Sequence, residues 1–397
     1  MIGFFTAVSN VAIADSTDAS TANQLYPVLS ERLRMEINSP GSLSISVPYN
    51  NRRLADAYPP IQLNDLATLE MLRQDGTVAQ AFRGRVRRIV QDRSRSVTIE
   101  AEGLVSALHD SVIPPFAFPD DFLADPAYQT AAASGNVVRY LLNWLLTQHN
   151  AQARAQDRVY IGDVTVTDPN NYIARSTTSY MSTMDVIQSR LLDSALGGMY
   201  VARYTRGVTY LDYLSGYDSS GEADRQQIRY GDNLIDIEVE QDVDELYTDI
   251  IPVGAEGITI ASLPDGDLSQ GLVKSGDRIY NPAARTLYGQ VARVVQWPDV
   301  TVAANLRTKA SAALLEAQPI RLISVTASDK GVTDDDIDLL TVGETNLVTS
   351  PAHGLTGASF GVASVERDIL RPGETRVSLG RVAPTQTAAV SGLQIRR

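Results

Sequence analysis

The chain has 397 residues, too many for one ordinary hydrophobic core, and its 44% hydrophobic and 20% charged content is that of a globular protein of about two to four domains. A net charge of −13 opposes binding to phosphate backbones and anionic membranes, although an acidic wall would still let DNA slide past without sticking. The absence of cysteine excludes disulfides, thiolate catalysis and cysteine metal sites.

Residues Met1 to Ala14 (MIGFFTAVSNVAIA) imitate a signal peptide, but they lack a basic start and are interrupted by Thr6, Ser9 and Asn10. They read as a buried strand. No apolar run is long enough to span a membrane, so a protein made in the cytoplasm and not inserted in membranes is expected. Residues 1–112 read as β. In Ser42 to Val47 the residues Leu43, Ile45 and Val47 share one side and the serines the other. Asp75-Gly76 marks a tight turn, and Val97-Thr98-Ile99 closes the meander. Between them, Phe82, Gly84 and Val86 face one way, and Arg83, Arg85 and Arg87 the other.

Residues 113–125, rich in Pro and Asp, read as a boundary. A helical stripe follows over Asn136 to Gln148, carried by Val137, Val138, Leu141, Leu142, Leu145 and Leu146. A second helix is expected from Thr183 to Leu196, opened by Ser182 and Asp185 at capping-box spacing and closed by Gly197. Met199 to Tyr204 and Val208 to Leu214, flanking Arg206-Gly207, read as a hairpin. Strands resume at Asn233 to Val239 and Tyr247 to Val253. A helix over Val302 to Ala317, stopped by Pro319, lies in a segment of different texture, after which strands run on to Val382.

The last β region repeats the first. Leu69, Gly76 and Phe82 have the same spacing as Leu347, Gly354 and Phe360, and Val97-Thr98-Ile99 answers to Val377-Ser378-Leu379. The intervening turns are Asp92 to Arg95 and Arg371 to Glu374, the latter with a type II Pro-Gly pair. Each meander leaves edges that closure into a small barrel would remove. Three such chains around an axis would present six similar barrels, letting a three-fold object dock on a six-fold tube.

Chemistry is sparse. His109, His149 and His353 fall in different expected domains, and each reads as a surface histidine rather than part of a triad. Without cysteine or an HExxH motif a zinc site is not expected. Asp334, Asp335, Asp336 and Asp338 lack the glycine and terminal glutamate of a calcium loop and read as a solvated loop. Arginines 83, 85, 87, 88, 93 and 95 read as an exposed strand face, whose functional variant is contact with acidic neighbours across a subunit ring. Gly197-Gly198 follows a helix, so it is no phosphate loop. Forty-seven acidic residues leave a glycosidase-like carboxylate pair open, and the tyrosines of Tyr200 to Tyr217 leave a glycan-binding surface open, against a packed hairpin.

Four segments resemble the central hub family of phage tails and baseplates, the N-terminal structural region of tail-associated lysins or prophage tail endopeptidases. They are Arg34 to Pro48, Phe82 to Leu108, Tyr230 to Val253 and Val342 to Gly380. The resemblance implies an α+β, mostly β fold with two related small β-barrel domains, an α/β domain between them and a small inserted domain. The expected bounds are 1–112 for the first barrel, 113–225 for the α/β domain, 226–258 with 319–383 for the second barrel, 259–318 for the insert and 384–397 for a tail. It further implies a homotrimer in the virion tail tip that joins the six-fold tube to the three-fold tip and gates the DNA channel. Its partners would be a distal tail protein or tail tube ring, a tape measure protein, and a tip, fibre or receptor-binding protein. No sequence-specific nucleic acid binding, no cofactor, no metal and no catalytic residue is expected, and no lytic activity is carried over. Two alternatives stand beside this reading: a tail enzyme that degrades cell wall or polysaccharide with paired carboxylates, and a receptor- or carbohydrate-binding tail protein.

Overall fold

The computed structural model describes residues 9–14, 23–24, 30–48, 62–72, 78–91, 96–167, 177–192, 198–205, 207–217, 227–242, 246–268, 271–298, 300–317, 320–328, 342–368 and 374–380. The fold is α+β and mostly β, as the sequence implied. The N-terminal strands are β1 (Ser9–Ala14), β2 (Asn23–Gln24), β3 (Ser30–Glu36), β4 (Ser42–Pro48), β5 (Leu66–Leu72), β6 (Val78–Gln91) and β7 (Ser96–Gly103). Period-two alternation sets their inner face. Leu43, Ile45 and Val47 of β4 are buried, opposite Ala101, Ile99 and Val97 of β7.

The middle of the chain contributes β8 (Val112–Ile113), β9 (Val159–Val164), β10 (Met181–Ser182), β11 (Met199–Thr205) and β12 (Val208–Leu214). The helix Val137–Gln152 buries the expected stripe of Val137, Val138, Leu141, Leu142, Leu145 and Leu146. This stripe joins the apolar residues of β4 to β7 in one continuous core. The segment 113–125 was expected to be a boundary, yet Phe116, Phe118 and Phe122 are buried and stack edge-on with Trp144, Tyr128 and Tyr140. Its Pro and Asp residues shape turns around an aromatic cluster. Ser182 caps the second helix by accepting the Asp185 N–H at 3.0 Å, as its spacing indicated. That helix runs through Thr183–Val186 and then widens into a π-helical turn, Ile187–Leu192. Gly197 lies outside the described residues.

The C-terminal half carries β13 (Gln227–Arg229), β14 (Leu234–Asp242), β15 (Asp249–Val253), β16 (Gly266–Asp267), β17 (Val273–Ser275), β18 (Arg278–Tyr280), β19 (Ala292–Gln296), β20 (Ile320–Ser328), β21 (Thr345–Ser350), β22 (Leu355–Asp368) and β23 (Glu374–Leu379). Strands β15 to β19 form their own sheet under the helix Ala303–Glu316. Leu306, Ala310 and Leu314 of that helix pack with Ile250, Leu272 and Ile279 in a separate core. Tyr247 to Val253 had been grouped with the second β unit, but β15 ladders with β18 and β19 and so lies in the inserted sheet.

The two β units share one topology. In the first the pairing order is β3-β4-β7-β6-β5; in the second it is β14-β20-β23-β22-β21. Both long strands carry a bulge at the corresponding place. Val86 opposes Ala101 before the ladder resumes at Arg88 and Glu100, and Val362 opposes Leu379 before it resumes at Ser364 and Ser378. Both bulges are flanked by the same pair of backbone bonds. Val86 N donates to Asp65 O and Asn64 N to Val86 O, while Val362 N donates to Glu344 O and Gly343 N to Val362 O. Asn64 (φ 69°) and Gly343 (φ 94°) are both left-handed, a conformation open to glycine and tolerated by Asn.

The repeat is therefore real in topology but displaced in register from the sequence match. The bulges align Ile99, not Val97, with Val377. Leu69 opposes Phe82 whereas Leu347 opposes Ser359. Gly76 and both expected turns, at 92–95 and 371–374, fall on or beside residues outside the described set. Among the described residues no ladder closes either unit into the expected barrel. The second comes nearest: β13 pairs with β21 at one end, β14 lies at the other, and the short turn Tyr230 to Asn233 joins them. One junction links the units within the chain, where residues 364–368 of β22 pair antiparallel with residues 36–32 of β3. Among the described residues no helix is long and apolar enough to cross a membrane.

Candidate functional site

The arginine row of β6 leads to the main polar cluster. Rather than an exposed face, Arg83 and Arg85 are only 7% and 8% exposed, because the segment after the long helix covers this side of the sheet. The Arg83 Nη2 donates to the Gln156 carbonyl at 3.1 Å. Arg85 Nε donates to Asp157 Oδ1 at 3.0 Å, and its Nη1 meets Asp110. Arg154 reaches the second Asp157 oxygen at 2.6 Å. Farther along, Arg87 pairs with Glu102 and Arg88 with Glu100, across the β6–β7 ladder. Arg85, Arg87, Arg88 and Arg154 thus each have an acidic partner inside the chain. Arg93 and Arg95 lie outside the described residues.

His149 joins the same cluster. The sequence reading placed it on the surface, whereas it is 2% exposed. Its position was legible: Val138, Leu142, Leu145 and His149 continue one buried helical stripe. Its Nε2 lies 3.2 Å from the Asp157 carbonyl and its Nδ1 2.9 Å from Ser111 Oγ, which is 2.6 Å from Thr183 Oγ1. The carbonyl can only accept, so Nε2 carries the proton and Nδ1 accepts from Ser111. Burial holds the imidazole below its ordinary pKa, the Asp157 backbone bond opposes that shift, and the Arg85 charge adds to it.

A serine on a neutral histidine is half of a hydrolase arrangement, but the remaining geometry is structural. The orienting group is the Asp157 backbone, while the Asp157 carboxylate is held by Arg85 and Arg154. Ser111 is only 3% exposed; its one hydroxyl hydrogen faces both His149 Nδ1 and the Leu108 carbonyl, and Thr183 Oγ1 lies 2.6 Å from its oxygen, so the group sits inside a buried network. Beside it lies an open cavity of about 440 Å³, bordered by Asn64, Arg87, Asp110, Gln152 and Arg154.

The other candidates separate. His109 stands 3.9 Å from Asp185, and His353 Nδ1 lies 3.0 Å from Ser350 Oγ in the turn after β21. The three histidines do not converge. The tyrosines considered for glycan binding are mainly packing residues: Tyr200, Tyr204 and Tyr213 are buried, and Tyr217 donates to the Gly380 carbonyl at 2.7 Å. Among the described residues no group of three or more His, Asp or Glu side chains is placed to hold a metal. Asp334 to Asp338 lie outside them.

The profile of the prophage endopeptidase tail family matches residues 222–388. No protein of curated annotation matches the sequence. Among solved structures, a tail protein from Neisseria meningitidis superposes with a TM-score of 0.57 at 12% identity, covering 94% of this chain and 96% of its own. The 43 kDa tail protein of prophage MuSo2 from Shewanella oneidensis gives 0.58 at 11% identity over 95% and 99% of the two chains. Prophage tail protein gp18 from Listeria monocytogenes gives 0.54 at 14% identity over 97% and 98%. The resemblance read from the sequence therefore holds: this chain has the fold of phage tail proteins over nearly its whole length and matches the prophage endopeptidase tail family over residues 222–388.

Proposed function

We propose that the chain is a structural component of the virion, the hub at the tip of a phage-type tail, and that it works as a homotrimer without catalytic activity. The observation that carries this reading is the doubled sheet. One polypeptide holds two units with the same five-strand pairing order, bulge and left-handed residue. Three copies would set six such units around one axis, matching a six-fold tube on one side and a three-fold tip on the other. The ring would meet a distal tail protein or tail tube ring above and a tip, fibre or receptor-binding protein below. Outward movement of its units would release the tape measure protein and DNA. The net charge of −13 suits a channel past which DNA slides. A non-enzymatic role is supported by the committed hydrogen bonding of Ser111 and the separation of the histidines.

Mass measurement on the purified full-length chain, with imaging of assembled particles, tests the proposal. The expected result is a three-chain species located as a ring at the tail tip. A chain that stays monomeric at high concentration, alone and with its tail partners, overturns it. Clearing of peptidoglycan or polysaccharide that one Asp or Glu substitution abolishes would instead support the lytic alternative.

A further inference from the structure

We infer that neighbouring copies join by strand addition, the end of β6 in one chain pairing antiparallel with the outer edge of β14 in the next. The inference rests on the ring reading above and specifies its interface.

The argument starts from the junction already present within the chain. Residues 364–368 of β22, just past its bulge, pair with residues 36–32 of β3. In the first unit β6 corresponds to β22, and in the second β14 corresponds to β3. The corresponding surfaces are unpaired among the described residues. Among the described residues β6 ladders with β5 only up to Arg85, so beyond Val86 its far side has no strand partner. Among the same residues β14 ladders only with β20. Among the described residues each chain thus shows one free copy of each half of a junction it makes internally, which is the condition for head-to-tail closure.

Transferring the internal register fixes the contact. Arg88 follows its bulge as Ser364 follows its own. Leu33 opposes Leu43 as Val239 opposes Ile323. The pair Ser364–Glu36 then becomes Arg88 opposite Asp242, and Arg367–Leu33 becomes Gln91 opposite Val239. Charge agrees with this assignment. The internal junction sets Arg32 and Arg34 of β3 against Glu366 and Asp368, with Arg32 Nε 3.3 Å from Glu366. In the proposed junction the signs are exchanged: β14 (LIDIEVEQD) is acidic and the end of β6 carries Arg87 and Arg88. Swapping the partners would oppose like charges, which selects the correct pairing. Ile89, 38% exposed, lies on β6 within the paired stretch and stands ready for burial.

The chain has no cysteine, so an engineered pair reports this contact alone. Arg88→Cys with Asp242→Cys in one full-length chain, oxidised in air, is expected to shift from one chain mass to three on a non-reducing gel and return with reductant. Mixing the two single variants should stop at two chains. Arg88→Cys with Ile235→Cys, out of register, should stay at one. Circular dichroism melting checks that each variant is folded. Were a trimer by mass to form without cross-linking of the in-register pair above the out-of-register control, the junction would be wrong and the ring could stand. If the wild-type chain stays monomeric, both fall.

Discussion

Asp157 shows how much one buried carboxylate organises. Its side chain is 1% exposed and takes both Arg85 and Arg154, while its carbonyl orients His149. Removing one partner of a buried pair leaves charge poorly compensated, and Arg154 makes up only part of the loss at Asp157, so Arg85→Ala is expected to lower stability by about 3 kcal/mol, measured by denaturant unfolding. His149 adds a pH dependence of known sign. Its folded pKa lies below the ordinary value of 6.5, so the unfolded chain binds the extra proton first. The stability held by the neutral ring is complete above about pH 6.5 and is lost as the pH falls through the lowered folded value. Melting temperatures from pH 8 down to pH 5, taken in wild type and His149→Gln, should show a shallower acid decline in the variant. Sequence gave half of this cluster. The alternation of Arg83, Arg85 and Arg87 was visible, but alternation reports two faces and not which of them a distant segment covers.

At the scale of elements, local pattern and observed structure agree where one face is apolar. The helix Val137–Gln152 was read from its stripe, and Leu142, fully buried, anchors it. Leu142→Ala is expected to cost about 2–5 kcal/mol by loss of burial and creation of a cavity, read from urea unfolding. The left-handed position before β21 is a sharper case. A Cβ on Gly343 would lie 2.9 Å from Val201 Cγ2, and its φ of 94° is one that L residues rarely adopt. Gly343→Ala should therefore destabilise by about 1–3 kcal/mol in the same assay. Its counterpart Asn64 escaped notice in the sequence because Asn and Gly share that backbone conformation without sharing a letter. The register of the repeat was misjudged for a related reason. The bulges match, but the hairpins between equivalent ladder pairs differ in span, Leu69 to Phe82 in one unit against Val348 to Ala358 in the other, so equal spacings between apolar residues do not mark equal places in the ladder.

For the whole molecule, the doubled plan was legible because strand order leaves a sequence trace, while the joining of the units was not. The β22–β3 contact brings together residues more than three hundred positions apart, and no periodicity reports such a pairing. The inserted sheet obeys a simpler rule. Strands β14 and β20 are paired to their ends, with Asp242 opposite Ile320, so the chain leaves and returns at neighbouring points. The described residues between them build a sheet and helix around a core of their own that includes Ile250 and Leu314. A hairpin loop of about two to five residues suffices for such strand ends. Replacing residues 244–318 by a short turn containing Asn-Gly should therefore leave the β14–β20 ladder and both repeated units folded. Circular dichroism should retain a cooperative melt, and mass measurement should return the same number of chains as the wild type. Loss of folding would show that the insert supports the second unit, and loss of assembly alone would show that it contributes to the ring.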